Sequence, residues 1–277
     1  MHSEKEIYFS RGKRENQPYP NSFEALLREG YGKAVEVDLF LLCDGNVAVI
    51  HHKDVKLTQG QVEGMTLDEL NRVRETGENA PDRVTPLFEE FVTASFDRDI
   101  SLVLEIKGSS PERAKQTIGA VLQKLTLLKD SNVFQNKPDF LKKSVEISSF
   151  SVEALESGKE ILEQKGEDIA LGLLWTSNRE RASDMEISKT AEDRASQLGC
   201  ADDWTQCGIE IAKRIGCASV HLHSSVVNAD LIQKVHETGL KLVVWGVTGI
   251  KDARKVMALG ADKCVYDPIY NNKEYTQ

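Results

Sequence analysis

At 277 residues, with 40% hydrophobic and 29% charged side chains, the chain can build one large packed core, and the absence of low-complexity stretches excludes a disordered chain or a repeat array. A formal net charge of −9 argues against a nucleic-acid groove or a basic membrane patch, so an anionic ligand needs locally placed cations. The five cysteines, Cys43, Cys200, Cys207, Cys217 and Cys264, show no C-x-x-C spacing and imply neither a zinc site nor a complete disulfide framework, which predicts a reduced compartment. MHSEKEIYFSRG lacks an apolar signal core and no later apolar run approaches membrane-spanning length, so a cytoplasmic protein without a transmembrane segment is expected.

The chain alternates strand-like and helix-like runs. EIYFS (6–10) leads to a helix over NSFEALLREG, with Asn21 or Ser22 as its cap and Gly30 as its stop. AVEVDLFL (34–41) follows. The Asp44-Gly45 turn then returns the chain as an extra strand, VAVIHH (47–52), and TLDELNRVRE and PLFEEFVTASF read as helices. SLVLEIK (101–107) precedes the long helix PERAKQTIGAVLQKLTLL, with Pro111 in its first turn. The remaining strands are SVEISSF (144–150), DIALGLLW (168–175), ASVHLH (218–223), KLVVWGV (241–247) and DKCVYDP (262–268). Helices ALESGKEILEQ, NADLIQKVHETG and KDARKVMALG lie between most of them, and the long stretch from Thr176 to Gly216 is expected to carry a polar loop before its helix. Leaving out the extra strand, eight strands in βα alternation predict a single-domain TIM (β/α)8 barrel over residues 1–277, with a short insertion after the second strand.

Acids inside apolar strands mark the site. In AVEVDLFL, Val35, Val37, Leu39 and Leu41 share one face while Glu36 and Asp38 share the other; in SLVLEIK, Glu105 and Lys107 stand opposite Leu102, Leu104 and Ile106. A parallel strand covered by helices has no water-facing side, so such carboxylates are paired with cations or gathered around a metal. Glu36, Asp38 and Glu105 offer hard oxygen donors suited to Mg²⁺ or Ca²⁺, while no His or Cys cluster suggests zinc or copper. The bland alternative is a buried ion-pair network with Lys107 and Arg11. In the tandem His51-His52 only one ring can face the site, and His51 continues the Val47 and Val49 face. His221 and His223 would face one way on their strand, with no partner identifiable; Trp175 and Trp245 fit a pocket mouth or the core equally.

Taken together, SRG (10–12), PNSFEAL (20–26), VEVDL (35–39), DGNVAVIHH (44–52), LEIK (104–107), VVWGV and DKCVYDP resemble the glycerophosphodiester phosphodiesterase family, whose pattern runs HRG, E-x-D, D-G-x-x-V-x-x-H-D and E-x-K with a tryptophan on a late strand. The resemblance runs nearly end to end and in order. It implies a metal-dependent TIM-barrel hydrolase that splits glycerophosphodiesters into an alcohol and glycerol 3-phosphate, with lipid metabolism as its setting and a small-molecule phosphodiester as its partner. Glu36, Asp38 and Glu105 match the metal ligands, Arg11 and Lys107 the phosphate-contacting positions, Trp245 a substrate-lining position, and His51 the second catalytic histidine. Two positions depart from the pattern: Ser10 stands where the family has its first histidine, and His52 where it has an aspartate. A serine hydroxyl cannot act as a base near neutral pH, so a second reading is a weakened or inactive barrel that binds a phosphodiester or metal as a sensor or scaffold.

Overall fold

In a computed structural model of the chain, residues 7–10, 34–75, 85–131, 133–176, 189–200 and 203–267 are described. Among them nine strands form one sheet: β1 (Ile7–Ser10), β2 (Ala34–Leu41), β3 (Val47–Val49), β4 (Ser101–Ile106), β5 (Val145–Ser149), β6 (Ala170–Trp175), β7 (Ser219–His223), β8 (Lys241–Val247) and β9 (Lys263–Tyr266). All pair in parallel except β3, which runs antiparallel to β2. The ring closes because β1 pairs with β9 on one side and β2 on the other. β1 engages β2 only at Val35 and Glu36, and β3 takes the same edge further on, from Leu39 to Leu41. The predicted barrel is therefore observed, with β3 as the graft after the second strand.

The longer helices fall where the apolar period predicted them, and short ones over Gln59–Glu63 and Phe140–Ser144, with Lys189–Gln197, are additional. Together they are α1 (Gln59–Glu63), α2 (Leu67–Glu75), α3 (Phe88–Asp97), α4 (Pro111–Asp130), α5 (Phe140–Ser144), α6 (Val152–Lys165), α7 (Lys189–Gln197), α8 (Trp204–Ile215), α9 (Ala229–Glu237) and α10 (Ile250–Leu259). Local chemistry sets their ends: Ser110 accepts the Arg113 N–H ahead of Pro111, Ser151 accepts the Ala154 N–H, and Asn228 accepts the Leu231 N–H. Leu102, Leu104, Val35, Val37 and their counterparts pack outward against these helices in the main core. A separate cluster of Phe40, Leu42, Ala48, Ile50, Val62 and Leu70 sits under the graft. Gly45, at φ +83°, closes the turn into β3 in a conformation that a side chain resists. None of the described helices is long and apolar enough to cross a membrane.

Four expectations need adjustment or lie outside the described residues. VAVIHH is a strand only over Val47–Val49, because the His51 ring accepts the Lys53 N–H and turns the chain into a 3₁₀ turn over His52–Val55. The stretch after Thr176 carries two helices, α7 and α8, rather than one. Cys200 and Cys207 are disulfide-bonded, with Cα atoms 5.4 Å apart, which departs from the expected set of reduced thiols; Cys43, Cys217 and Cys264 are free. The helix predicted over 21–30, and Arg11 with it, lies outside the described residues.

Inside the ring, Tyr8, Ala34, Val103, Val243 and Val265 form an apolar group, and beside it a polar cluster is buried. Glu146 on β5 takes Lys263 from β9 on Oε2, and on Oε1 it meets His221 Nε2 of β7 at 2.7 Å and the Ser219 hydroxyl. Burial alone opposes the charge on Glu146, yet His221 and Lys263 outweigh it and hold the carboxyl far below the carboxylate range. The Lys263 ammonium is disfavoured by burial, but Glu146 and Tyr8 raise its pKa nonetheless. Gly172 on β6 makes room for this cluster, since a Cβ there would collide with His221 Nε2 and stand 2.6 Å from Ser219 Oγ and 2.7 Å from Glu146 Oε1.

Two outcomes follow for stability. Glu146 has a depressed pKa in the folded state, so its contribution is fully present above the ordinary value of 4.5 and is lost as pH falls below that toward the native value. Thermal unfolding midpoints measured from pH 7 downward should show this acid loss, and Glu146→Gln should remove it while costing about 3–5 kcal/mol at neutral pH by stranding Lys263. Gly172→Ala should destabilise by about 1–3 kcal/mol in denaturant melts, through overpacking of the same cluster. A neutral alanine variant would mean that the cluster is looser than its geometry.

Candidate active site

One end of the barrel opens into a cavity of about 290 Å³. Strand alternation brings Glu36 and Asp38 of β2, Glu105 and Lys107 at the end of β4, and Ser10 at the end of β1 to its wall, with Ser148, Phe150, Leu174, His221, Trp245 and Asp267 around them. The register explains the gathering. β1 sets Ser10 beside Glu36, while β4 sets Glu105 opposite Asp38 and next to Ser148 of β5. Glu36, Asp38 and Glu105 each present a carboxylate oxygen, and these oxygens lie within 4.8 Å of one another. This hard, anionic donor set fits a divalent cation such as Mg²⁺ or Ca²⁺. Lys107 stands against it, with Nζ 3.2 Å from Asp38 Oδ1 and in contact with Glu105 Oε1, so an ion-pair network and a cation site share the same acids.

His51 lines the cavity, and its partner in sequence does not. The Ile50 N–H donates to the Asp38 carbonyl at 3.0 Å, which ties the residue before His51 to the acidic strand. His51 Nδ1 accepts the Lys53 N–H at 3.2 Å, leaving Nε2 as the protonated nitrogen of the neutral ring. His52 instead stacks on His51 at 4.6 Å and meets the Phe40 ring edge-on at 6.2 Å. On the far wall, Trp245 meets Phe150 and His223 edge-on at 5.8 and 4.7 Å and donates its Nε1–H to the His221 carbonyl at 3.3 Å. Lys107 Nζ lies 6.0 Å from the Phe150 ring centre. Trp175 takes no part: fully buried, it packs on Trp204 and donates to that residue's carbonyl, so it belongs to the core.

Several contributors escaped the sequence. His221 and His223 do have partners, the first in Glu146 and Ser219 and the second in Ser225 at 2.8 Å. Lys53 adds a cation at the mouth, for which only its place two residues after His51 was a clue. Glu63 accepts the Ser109 N–H at 2.6 Å and the Ser109 hydroxyl, and pairs with Arg113 Nε at 3.3 Å. Arg113 in turn donates through Nη2 to the Leu41 carbonyl, so α1 braces the loop that follows Lys107. Of the two adjacent serines, Ser149 turns outward to the Ile106 carbonyl, whereas Ser148 is fully buried, faces the cavity, and has no hydrogen-bond partner among the described residues.

Comparison with known proteins supplies the relationship. No curated protein matches the chain. The glycerophosphodiester phosphodiesterase from Parabacteroides distasonis superposes with a TM-score of 0.64 at 18% identity, over 95% of this chain and 93% of the other. An Oleispira antarctica phosphodiesterase solved in complex with the product sn-glycerol-3-phosphate gives 0.64 at 19% identity, over 95% and 92%. At such identities the likeness establishes the fold. Residues 11–270 match the sequence pattern of the glycerophosphoryl diester phosphodiesterase family, and on that span, nearly the whole barrel, the chain belongs to this family of phosphoric diester hydrolases.

Proposed function

We propose that the protein hydrolyses glycerophosphodiesters to an alcohol and glycerol 3-phosphate, using a divalent cation, Mg²⁺ or Ca²⁺, held by Glu36, Asp38 and Glu105. The observation that carries this reading is the convergence of those three carboxylates with Lys107 and His51 on one cavity. Family membership supports the reaction class, and the product bound to the Oleispira relative supports the substrate. A phosphodiester needs charge neutralised on its non-bridging oxygens, an in-line nucleophile, and a proton for the departing alkoxide. A bound divalent cation supplies charge neutralisation and acidifies water. Lys107, and Arg11 from the adjoining segment, bind phosphoryl oxygens; the Ser10 hydroxyl donates a hydrogen bond; Trp245 lines the substrate's path. His51 gives the leaving oxygen its proton. It does so as an imidazolium, a form in which Nδ1 no longer accepts the Lys53 N–H.

The decisive assay measures glycerol 3-phosphate release from several glycerophosphodiesters with and without chelator. Release that EDTA abolishes and Mg²⁺ or Ca²⁺ restores is the expected outcome; cation binding without turnover of any diester would favour the sensor or scaffold reading, for which Ser10 is the motive. Asp38→Asn should weaken cation binding by about 10-fold or more in calorimetric titration, since it removes one ligand charge. His51→Ala should lower kcat by about 10²–10⁴-fold with little change in KM, as expected for a group used in the transition state. Near-native kcat in that variant would remove His51 from the chemistry.

A further inference from the structure

Among the described residues, the cavity is lined by one imidazole besides His51, that of His221 on β7. It is 1% exposed and gripped by one nitrogen: Nε2 lies 2.7 Å from Glu146 Oε1 and 3.0 Å from Ser219 Oγ. The Ser219 hydroxyl donates its own proton to that same carboxylate oxygen. Both neighbours of Nε2 are therefore acceptors, and Nε2 must carry the hydrogen. In the neutral ring the lone pair is then on Nδ1, an atom to which no described residue donates. Lys263 takes the other carboxylate oxygen, Oε2, so Glu146 is shared between an ammonium and the imidazole.

The other titratable groups around this ring do not compete for its proton. Tyr8 of β1 is pushed up by burial, with Lys263 opposing, and Cys217 just before β7 is pushed up to about 12 by burial and by Glu146, so both stay neutral. Gly172 and Leu174 of β6 and Val243 of β8 add no charge. A second observation points to a ligand at the same floor: Ser148 Oγ is buried, faces the cavity and lacks a partner among the described residues. In the ring order, β7 stands diametrically across from β2, the strand to which β3 and hence His51 are attached. Displacement at phosphorus needs attack and departure on opposite sides.

We propose that His221, aligned by Glu146, is the general base of the reaction, with Ser148 holding the attacking oxygen; this rests on the hydrolysis proposed above. The bond from the water oxygen to phosphorus forms as the ester P–O bond breaks. The water proton passes to His221 Nδ1, the departing alkoxide takes a proton from His51, and the two rings re-equilibrate through solvent. Glu146 accepts from Nε2–H throughout and stabilises the imidazolium that forms, acting as a positioning residue.

His221→Gln tests this, because the glutamine amide keeps a donor toward Glu146 but cannot accept the proton. Expected are a kcat lower by about 10²–10⁴-fold with KM and cation binding little changed, and loss of the acidic limb of the kcat/KM pH profile. In the native protein, nitrogen-15 NMR of His221 should show hydrogen on Nε2 and a protonation midpoint that coincides with that limb, a measurement independent of how the variant folds. A kcat within about threefold of native, an unchanged acidic limb, or hydrogen on Nδ1 in the neutral ring overturns the proposal. An active native enzyme with an active His221→Gln variant defeats the inference alone, whereas a native protein that turns over no diester defeats the hydrolytic reading and the inference with it.

Discussion

Alternate residues of every barrel strand point into a space that neither solvent nor the outer helices can reach freely, and any polar side chain sent there must find its partner on another strand. That constraint organises the molecule. Low in the barrel it is met internally, with Glu146, Lys263, His221 and Ser219 satisfying one another from three strands. Toward the open end it is met by gathering three carboxylates, two of them against one ammonium, and there the arrangement remains receptive to a further cation. The closed network and the open one meet at His221, whose ring completes the first and lines the cavity of the second.

Lys107 sits at the junction of these demands. Its ammonium touches two of the acids while its neighbourhood also includes the Phe150 face, so it can serve the carboxylates and an incoming anion only by dividing its contacts. A cation among the acids would release it toward the phosphate, under the reading proposed here. Binding of metal and of substrate would then reinforce each other through one side chain, without movement of the backbone.

Much of this was legible in the sequence because the informative residues break a pattern. Glu36, Asp38 and Glu105 interrupt apolar runs, and parity alone assigns them to the inside of β2 and β4. Parity does not account for His51: Val47 and Val49 share the Leu39 face in the main core, and it is the turn after Val49 that carries His51 to the cavity. The extent of β3 was not legible, since its end depends on the bond from the Lys53 N–H to the His51 ring rather than on propensity. Glu146 was overlooked although it too lies in an apolar strand, because its partners His221 and Lys263 are 75 and 117 residues away and only the staggered register of the closed ring brings them together. The Cys200–Cys207 bridge was equally hidden: seven residues apart, the pair matches no spacing motif, with one cysteine just after α7 and the other inside α8.

The segment between β2 and α3 controls the mouth from both sides at once. Through β3 it fixes the approach to His51, and through Glu63 it grips Ser109 just beyond Lys107. Ala48, Ile50, Val62 and Leu70 of this segment form a small core with Phe40 and Leu42, while Val47 and Val49 of β3 anchor it in the main one. Such a segment behaves as a cassette with one fixed end: β3 is tied to the barrel, and changes beyond that anchor reset the spacing between an imidazole and an ammonium in a single step. Diversification of substrate range in a scaffold of this kind need not touch the acids at all.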